Sequence, residues 1–186
     1  MRTPLSISHT RGVTLIELMV VLVIVAILLM VVAPSFSDLI ARKRVEGTLT
    51  ELNTDLQFAR SEAAQRNTNV RITFGTGCYV IHTLGSTNTS CTQAGNPTLG
   101  TDAIQIKLVQ TAAASTVSFS PNNTLTYLMF DSVRAMATWD GTNPLSGSVD
   151  ITSNGGAWQL RTSVTAMGRT QTCSPNSSIT GYQACS

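Results

Sequence analysis

Glu17 stands immediately before sixteen unbroken apolar residues, 18–33, and this placing of a carboxylate on a membrane-grade helix constrains the chain more than any other feature. Counted from Val13, the run to Ala33 is 21 residues, about 31 Å of helix at ~1.5 Å per residue, enough to cross a hydrocarbon core. A carboxylate within such a span costs about 2.5 to 3.5 kcal/mol on insertion scales, so a partner charge or a use is expected for it. Cleavage between Gly12 and Val13 would leave a free amino terminus one helical turn from Glu17 and supply that partner.

An ordinary secretory signal has a short apolar core followed by a small-residue cleavage site. Here the core is too long and carries its charge near the start. Basic residues flank both sides, Arg2 and Arg11 before the run and Arg42, Lys43 and Arg44 after it, so charge alone does not set a topology. Pro34 ends the apolar run and predicts a kink or a locally melted turn. Beyond it Val45, Leu49, Leu52, Leu56, Ala59 and Ala63 recur at spacings of three and four, one apolar stripe of an amphipathic helix that Asn67 is expected to end. That stripe should be covered by whatever follows.

From residue 68 the pattern changes to short β-prone runs broken by Gly, Asn, Pro and Ser. Strands are expected at 70–74, 79–84, 104–109, 116–119, 125–130, 149–151, 158–165 and 169–173. Turns are expected at 75–77, 95–97, 121–123, 140–141 and 154–156. The predicted class is therefore α+β, a long N-terminal helix packed on a small antiparallel sheet. A β-rich head of this size has a thin core that staples would help, and four cysteines are present, Cys78, Cys91, Cys173 and Cys185. Three connectivities are open, and the two local pairs, Cys78 with Cys91 and Cys173 with Cys185, are expected because neighbouring strand ends bring such pairs together. Metal binding would want closer cysteine spacing or accompanying histidines, and the two histidines, His9 and His82, stand apart. No nucleophile elbow, phosphate loop or paired-carboxylate pattern suggests catalysis.

The segment Gly12-Val13-Thr14-Leu15-Ile16-Glu17-Leu18 resembles the N-terminal signal of type IV pilins and pseudopilins, with Val13 where phenylalanine is usual. The resemblance implies that a prepilin peptidase cuts after Gly12 and methylates Val13. It also implies that Glu17 recruits the subunit into a filament by pairing with a neighbour's terminal amine. Within the second helical stretch, Ala59-Arg60-Ser61-Glu62-Ala63-Ala64-Gln65-Arg66-Asn67 is similar to the RSEAxxRN segment of the GspH/FimT group of minor pilins and pseudopilins. Residues 119–125 and 163–169 look like that group's strand and turn segments, less specifically.

These resemblances imply a pilin-like fold with a leader at 1–12, a membrane-spanning helix at 13–33, an amphipathic extension at 34–67 and a periplasmic β-rich head at 68–186. They imply a minor pilin, most like the FimT type, that is not an enzyme, needs no cofactor and takes part in pilus assembly or tip formation. Its partners would be the prepilin peptidase, a major pilin, other minor pilins and the inner membrane. The periplasm is oxidising, so disulfides would persist. A GspH-type pseudopilin of type II secretion is the alternative. A second alternative is a pilus-tip receptor for double-stranded DNA in natural transformation, through Arg161 and Arg169. Removing residues 1–12 takes away Arg2 and Arg11 and leaves ten basic against ten acidic residues, a thin base for phosphate binding. The group's DNA-contacting GRxR turn is half present, as Gly168-Arg169-Thr170-Gln171.

Overall fold

The computed structural model describes residues 12–83, 89–93, 95–111, 117–121, 127–138 and 146–185, without the side chains of 31–35. The leader up to Arg11, the end of the strand expected at 79–84, the start of the strands expected at 116–119 and 125–130, residues 122–123 of the turn expected at 121–123 and the turn expected at 140–141 lie outside those residues. The described chain divides into two compact units after Leu39.

Helix α1, Leu15–Arg66, spans 52 residues. It is helical through residue 34, so the melted turn expected at Pro34 is not formed; a proline removes only one backbone bond, and the turns on either side carry the rest. Thr14 opens the helix, its side-chain oxygen accepting the Glu17 N–H at 3.3 Å, as an N-cap threonine does. Asn67 closes it with φ of 49°, the left-handed conformation that asparagine tolerates at a helix end.

In the unit from Ile40 onward, the stripe Val45, Leu49, Leu52, Leu56, Ala59 and Ala63 is buried. It faces two antiparallel sheets. The first comprises β1 (Val70–Gly75), β2 (Cys78–Thr83), β3 (Gln105–Gln110), β5 (Tyr127–Phe130) and β6 (Ala137–Thr138), in the order β3-β2-β1-β5-β6. The second comprises β4 (Val117–Pro121), β7 (Gly147–Ser153), β8 (Gln159–Val164) and β9 (Thr170–Cys173), in the order β4-β7-β8-β9. Alternation along the strands sends Val70, Ile72, Phe74, Ile151, Leu160 and Val164 into one shared core with the helix stripe. The eight expected strands are present in their described parts. β6 is an addition, a two-residue strand that pairs Ala137 with Phe130 and Thr138 with Met129 and is too short to leave a periodic signal.

The opposite face of the first sheet is also buried. Arg71, Thr73 and His82 point there and are all under 9 % exposed, although their alternation with apolar residues reads as a solvated face. His82 is held by Thr73 Oγ1 at 2.9 Å and the Thr83 carbonyl at 2.8 Å, and burial pushes its pKa below the usual 6.5. The Arg71 guanidinium lies 4.1 Å from the centre of the Tyr127 ring, a cation–π contact.

Candidate assembly site

Among the described residues of the first unit, the chemistry centres on Glu17. Apolar side chains from Val13 to Met30 are exposed, Met30 at 83 %, so within the described chain nothing of its own covers them. Glu17 sits in the first turn, where the helix dipole favours a negative charge, and no ion pair reaches its carboxylate among the described residues. The motif reading leaves Thr14 without a role, yet Thr14-x-x-Glu17 has the spacing of a capping box. Its cap fixes the helix start at Leu15, three residues after Gly12, and thereby sets where Val13 and Glu17 stand. A methyl group on Gly12 would meet no neighbour within 4 Å, so its environment is open. Among the described residues, no helix is long and apolar enough to cross a membrane; the apolar run continues through 31–33, whose side chains are not described.

In the second unit the segment 59–67 divides its labour. Ala59 and Ala63 are fully buried in the core. Arg66 Nε donates to Glu62 across one turn, the i,i+4 pair that the spacing predicts. Arg60 reaches across to the turn between β8 and β9. A methyl group on Gly168 would lie 3.3 Å from the Arg60 guanidinium, and Gly168 has φ of 74°.

The basic run is less available than its sequence suggests. Arg42 Nε donates to Glu46 at 2.9 Å, and its Nη2 donates to the Thr180 carbonyl at 3.0 Å. Lys43 donates to Glu46 at 2.7 Å, and that bond leads the effects holding the Glu46 carboxyl below its usual range. The two arginines considered for DNA differ. Arg161 lies opposite Asp150 in the β7–β8 register and makes a two-pronged pair with it at 2.6 and 2.8 Å, which raises the arginine pKa. Arg169 is exposed, and its backbone N–H donates to Thr165 Oγ1 at 3.2 Å.

Cys78 joins Cys91 and Cys173 joins Cys185, with Cα separations of 6.1 and 5.0 Å. The second bond fastens the tail that carries Thr180 to the strand β9. A further tie between helix and sheet escapes the sequence reading: the buried Asp55 accepts from the Tyr79 hydroxyl and from Lys107 Nζ, both at 2.7 Å. Burial, then Asp55, pushes the Tyr79 hydroxyl pKa well above normal. The spacing Leu52, Asp55, Ala59 places Asp55 on the edge of the buried stripe, the one local sign of it. Among the described residues no group of three histidine, cysteine or acidic side chains converges as a metal site.

The exposed apolar helical segment headed by a carboxylate in the first unit, and the two sheets packed on an amphipathic helix in the second, define a pilin-type subunit. Residues 48–168 match the family model described as type II transport protein GspH, and residues 7–33 match the prokaryotic N-terminal methylation motif. The first match covers well over half of the 186 residues, and the chain belongs to the GspH family. Two crystal structures of the type IV minor pilin FimU of Pseudomonas aeruginosa share the fold. One aligns at TM-score 0.53 and 21 % identity over 70 % of this chain and 88 % of its own; the other aligns at 0.51 and 20 % over 68 % and 90 %. The minor pseudopilin EpsH of Vibrio cholerae aligns at TM-score 0.44 and 11 % identity over 70 % and 97 %. No curated protein matches the chain.

Proposed function

We propose that this chain is a minor subunit of a type IV pilus, cut after Gly12, methylated at Val13, held in the inner membrane by residues 13–33 with its head in the periplasm, and then drawn into the filament at or near its tip. The observation that carries this reading is the exposed apolar helix headed by Glu17. Apolar side chains that the described chain leaves uncovered need either lipid or the helices of other subunits, and passage from one to the other exposes little of them to water. Glu17 then supplies the one specific contact in an otherwise uniform surface, its carboxylate pairing with a neighbour's terminal amine.

The disulfide-closed loops and the Gly168-Arg169 turn, which resemble FimT-type minor pilins, support the pilus side over a type II secretion pseudopilus. DNA receptor activity receives no support from Arg161, whose two-pronged pair with Asp150 leaves its guanidinium committed. Mass spectrometry of the protein recovered from sheared filaments tests the reading. It should find the chain beginning at Val13 with one added methyl group, together with a major pilin. Recovery with secretion pseudopilins instead would transfer the subunit to that machine, and an uncut chain would refute the processing.

A further inference from the structure

β9 is the outer strand of its sheet, and strand geometry decides which of its backbone groups face away. Hydrogen-bonded and non-bonded pairs alternate along an antiparallel ladder. The Thr165 N–H donates to the Arg169 carbonyl at 3.0 Å, so bonding falls at Ser163 with Gln171 and at Arg161 with Cys173. The intervening pairs, Val164 with Thr170 and Thr162 with Thr172, are the non-bonded ones. The N–H and C=O groups of Thr170 and Thr172 therefore point out of the sheet.

Ser174 continues the alternation and shows what such groups do when a strand reaches them. Its N–H donates to the Gln183 carbonyl at 2.8 Å and its carbonyl accepts the Cys185 N–H at 3.4 Å, a parallel bridge with Ala184 secured by the Cys173–Cys185 disulfide. Upstream of that bridge the tail turns off through Gly181, with φ of 102°, and Tyr182 packs on the core. The chain thus covers its own edge at Ser174 and leaves the next two outward positions without a backbone partner among the described residues. They border an open surface cavity of about 450 Å³, lined also by Tyr182 and Leu49, whose other wall is the helix surface of Thr50, Asn53, Thr54 and Gln57. An open edge is a template for added strands that soluble proteins blunt with lysine, proline or a bulge; this one carries only threonine and glutamine between Arg169 and Cys173.

We infer that the β9 edge takes an extended segment of a different pilin-type chain as an added strand, laid between Thr170–Thr172 and the helix. Outward main-chain donors and acceptors are matched by another main chain. No residue lining the cavity is charged, which gives no hold to a phosphate backbone or a polybasic segment and selects an uncharged stretch. The parallel track is the one the tail itself starts along at Ser174. The inference rests on the reading of the chain as a filament subunit.

Full-length protein carrying a photoreactive benzoylphenylalanine at Gln57, made in cells that assemble the filament, tests it beside the same protein with Thr172→Pro. Proline there removes an outward N–H and no ladder bond, a kind of edge position that tolerates it. Capture of another pilin-type chain should fall at least tenfold in Thr172→Pro, with membrane level and disulfide formation equal to the parent. Equal capture, or capture of a second copy of this chain alone, would overturn the inference. Hydrogen exchange on the unsubstituted protein gives an independent reading should the proline variant fail to accumulate. The Thr170 and Thr172 amides should exchange at least tenfold more slowly in filaments than in detergent-solubilised subunits, and unchanged rates would overturn strand addition. Protein that enters filaments with these amides unprotected retires the strand alone, whereas protein that never enters filaments retires the subunit reading as well.

Discussion

The Arg60 guanidinium lies against Gly168, 3.3 Å from where a methyl group on that glycine would stand, and so links the C-terminal end of the long helix to the turn between β8 and β9. Two segments that stand far apart in the sequence are one contact. The turn needs glycine for its φ of 74°, and the arginine end would have to give by a few tenths of an ångström to admit a side chain there. Gly168→Ala should therefore destabilise the protein by about 1 to 3 kcal/mol, read as a lower denaturant midpoint. Adding Arg60→Ala should restore the steric part and leave the backbone part.

Asp55 is a stronger tie between helix and first sheet. Replacing it with alanine strands the Tyr79 hydroxyl, which is buried, and removes the near partner of Lys107, whose other acid, Glu51, is 3.8 Å away. A loss of about 1 to 3 kcal/mol is expected, the scale for leaving a buried hydroxyl without its hydrogen-bond partner. Lys107→Met should cost markedly less, because the lysine is more than a third exposed and Asp55 keeps the Tyr79 bond.

The helix stripe and the strands are legible in the sequence because each rests on a local period. What the sequence does not carry is whatever depends on register or distance. Arg161 reads as a loose positive charge until the β7–β8 pairing sets Asp150 opposite it. Asp55 meets Lys107 across 52 positions, beyond any local pattern. Arg71, Thr73 and His82 alternate like a wet face and are buried, since burial of a sheet's second face is decided by loops elsewhere. β6 is too short to have a period at all. Thr14, by contrast, is readable from its spacing to Glu17 alone.

His82 makes stability depend on pH. Its folded pKa lies below the 6.5 of the unfolded chain because burial disfavours the charged ring. Between the two values the unfolded state binds the proton and the folded state does not, so stability is full above about pH 6.5 and falls as the solution is acidified through that window. Denaturant midpoints at about pH 7.5 and about pH 5.5, on either side of the unfolded value, should differ for the natural protein. His82→Gln should flatten that difference.

Opening the Cys173–Cys185 bond should loosen the tail that brings Thr180 to Arg42 and Ala184 to Ser174. Substituting both cysteines with serine should cost about 2 to 4 kcal/mol and expose residues 174–185 to proteolysis first, as a time course with a broad protease would show. The equivalent change at Cys78 and Cys91 should cost a similar amount and leave the tail protected.

Glu17 carries the assembly role, and the decisive comparison sets Glu17→Ala beside the natural chain in cells that build the filament. The amount of each is measured in the membrane fraction and in sheared filaments. Membrane levels should be equal, since removing a charge only eases insertion, and no mutant should be detectable in the filaments. Mutant protein present in filaments at the natural level would contradict the role given to that carboxylate.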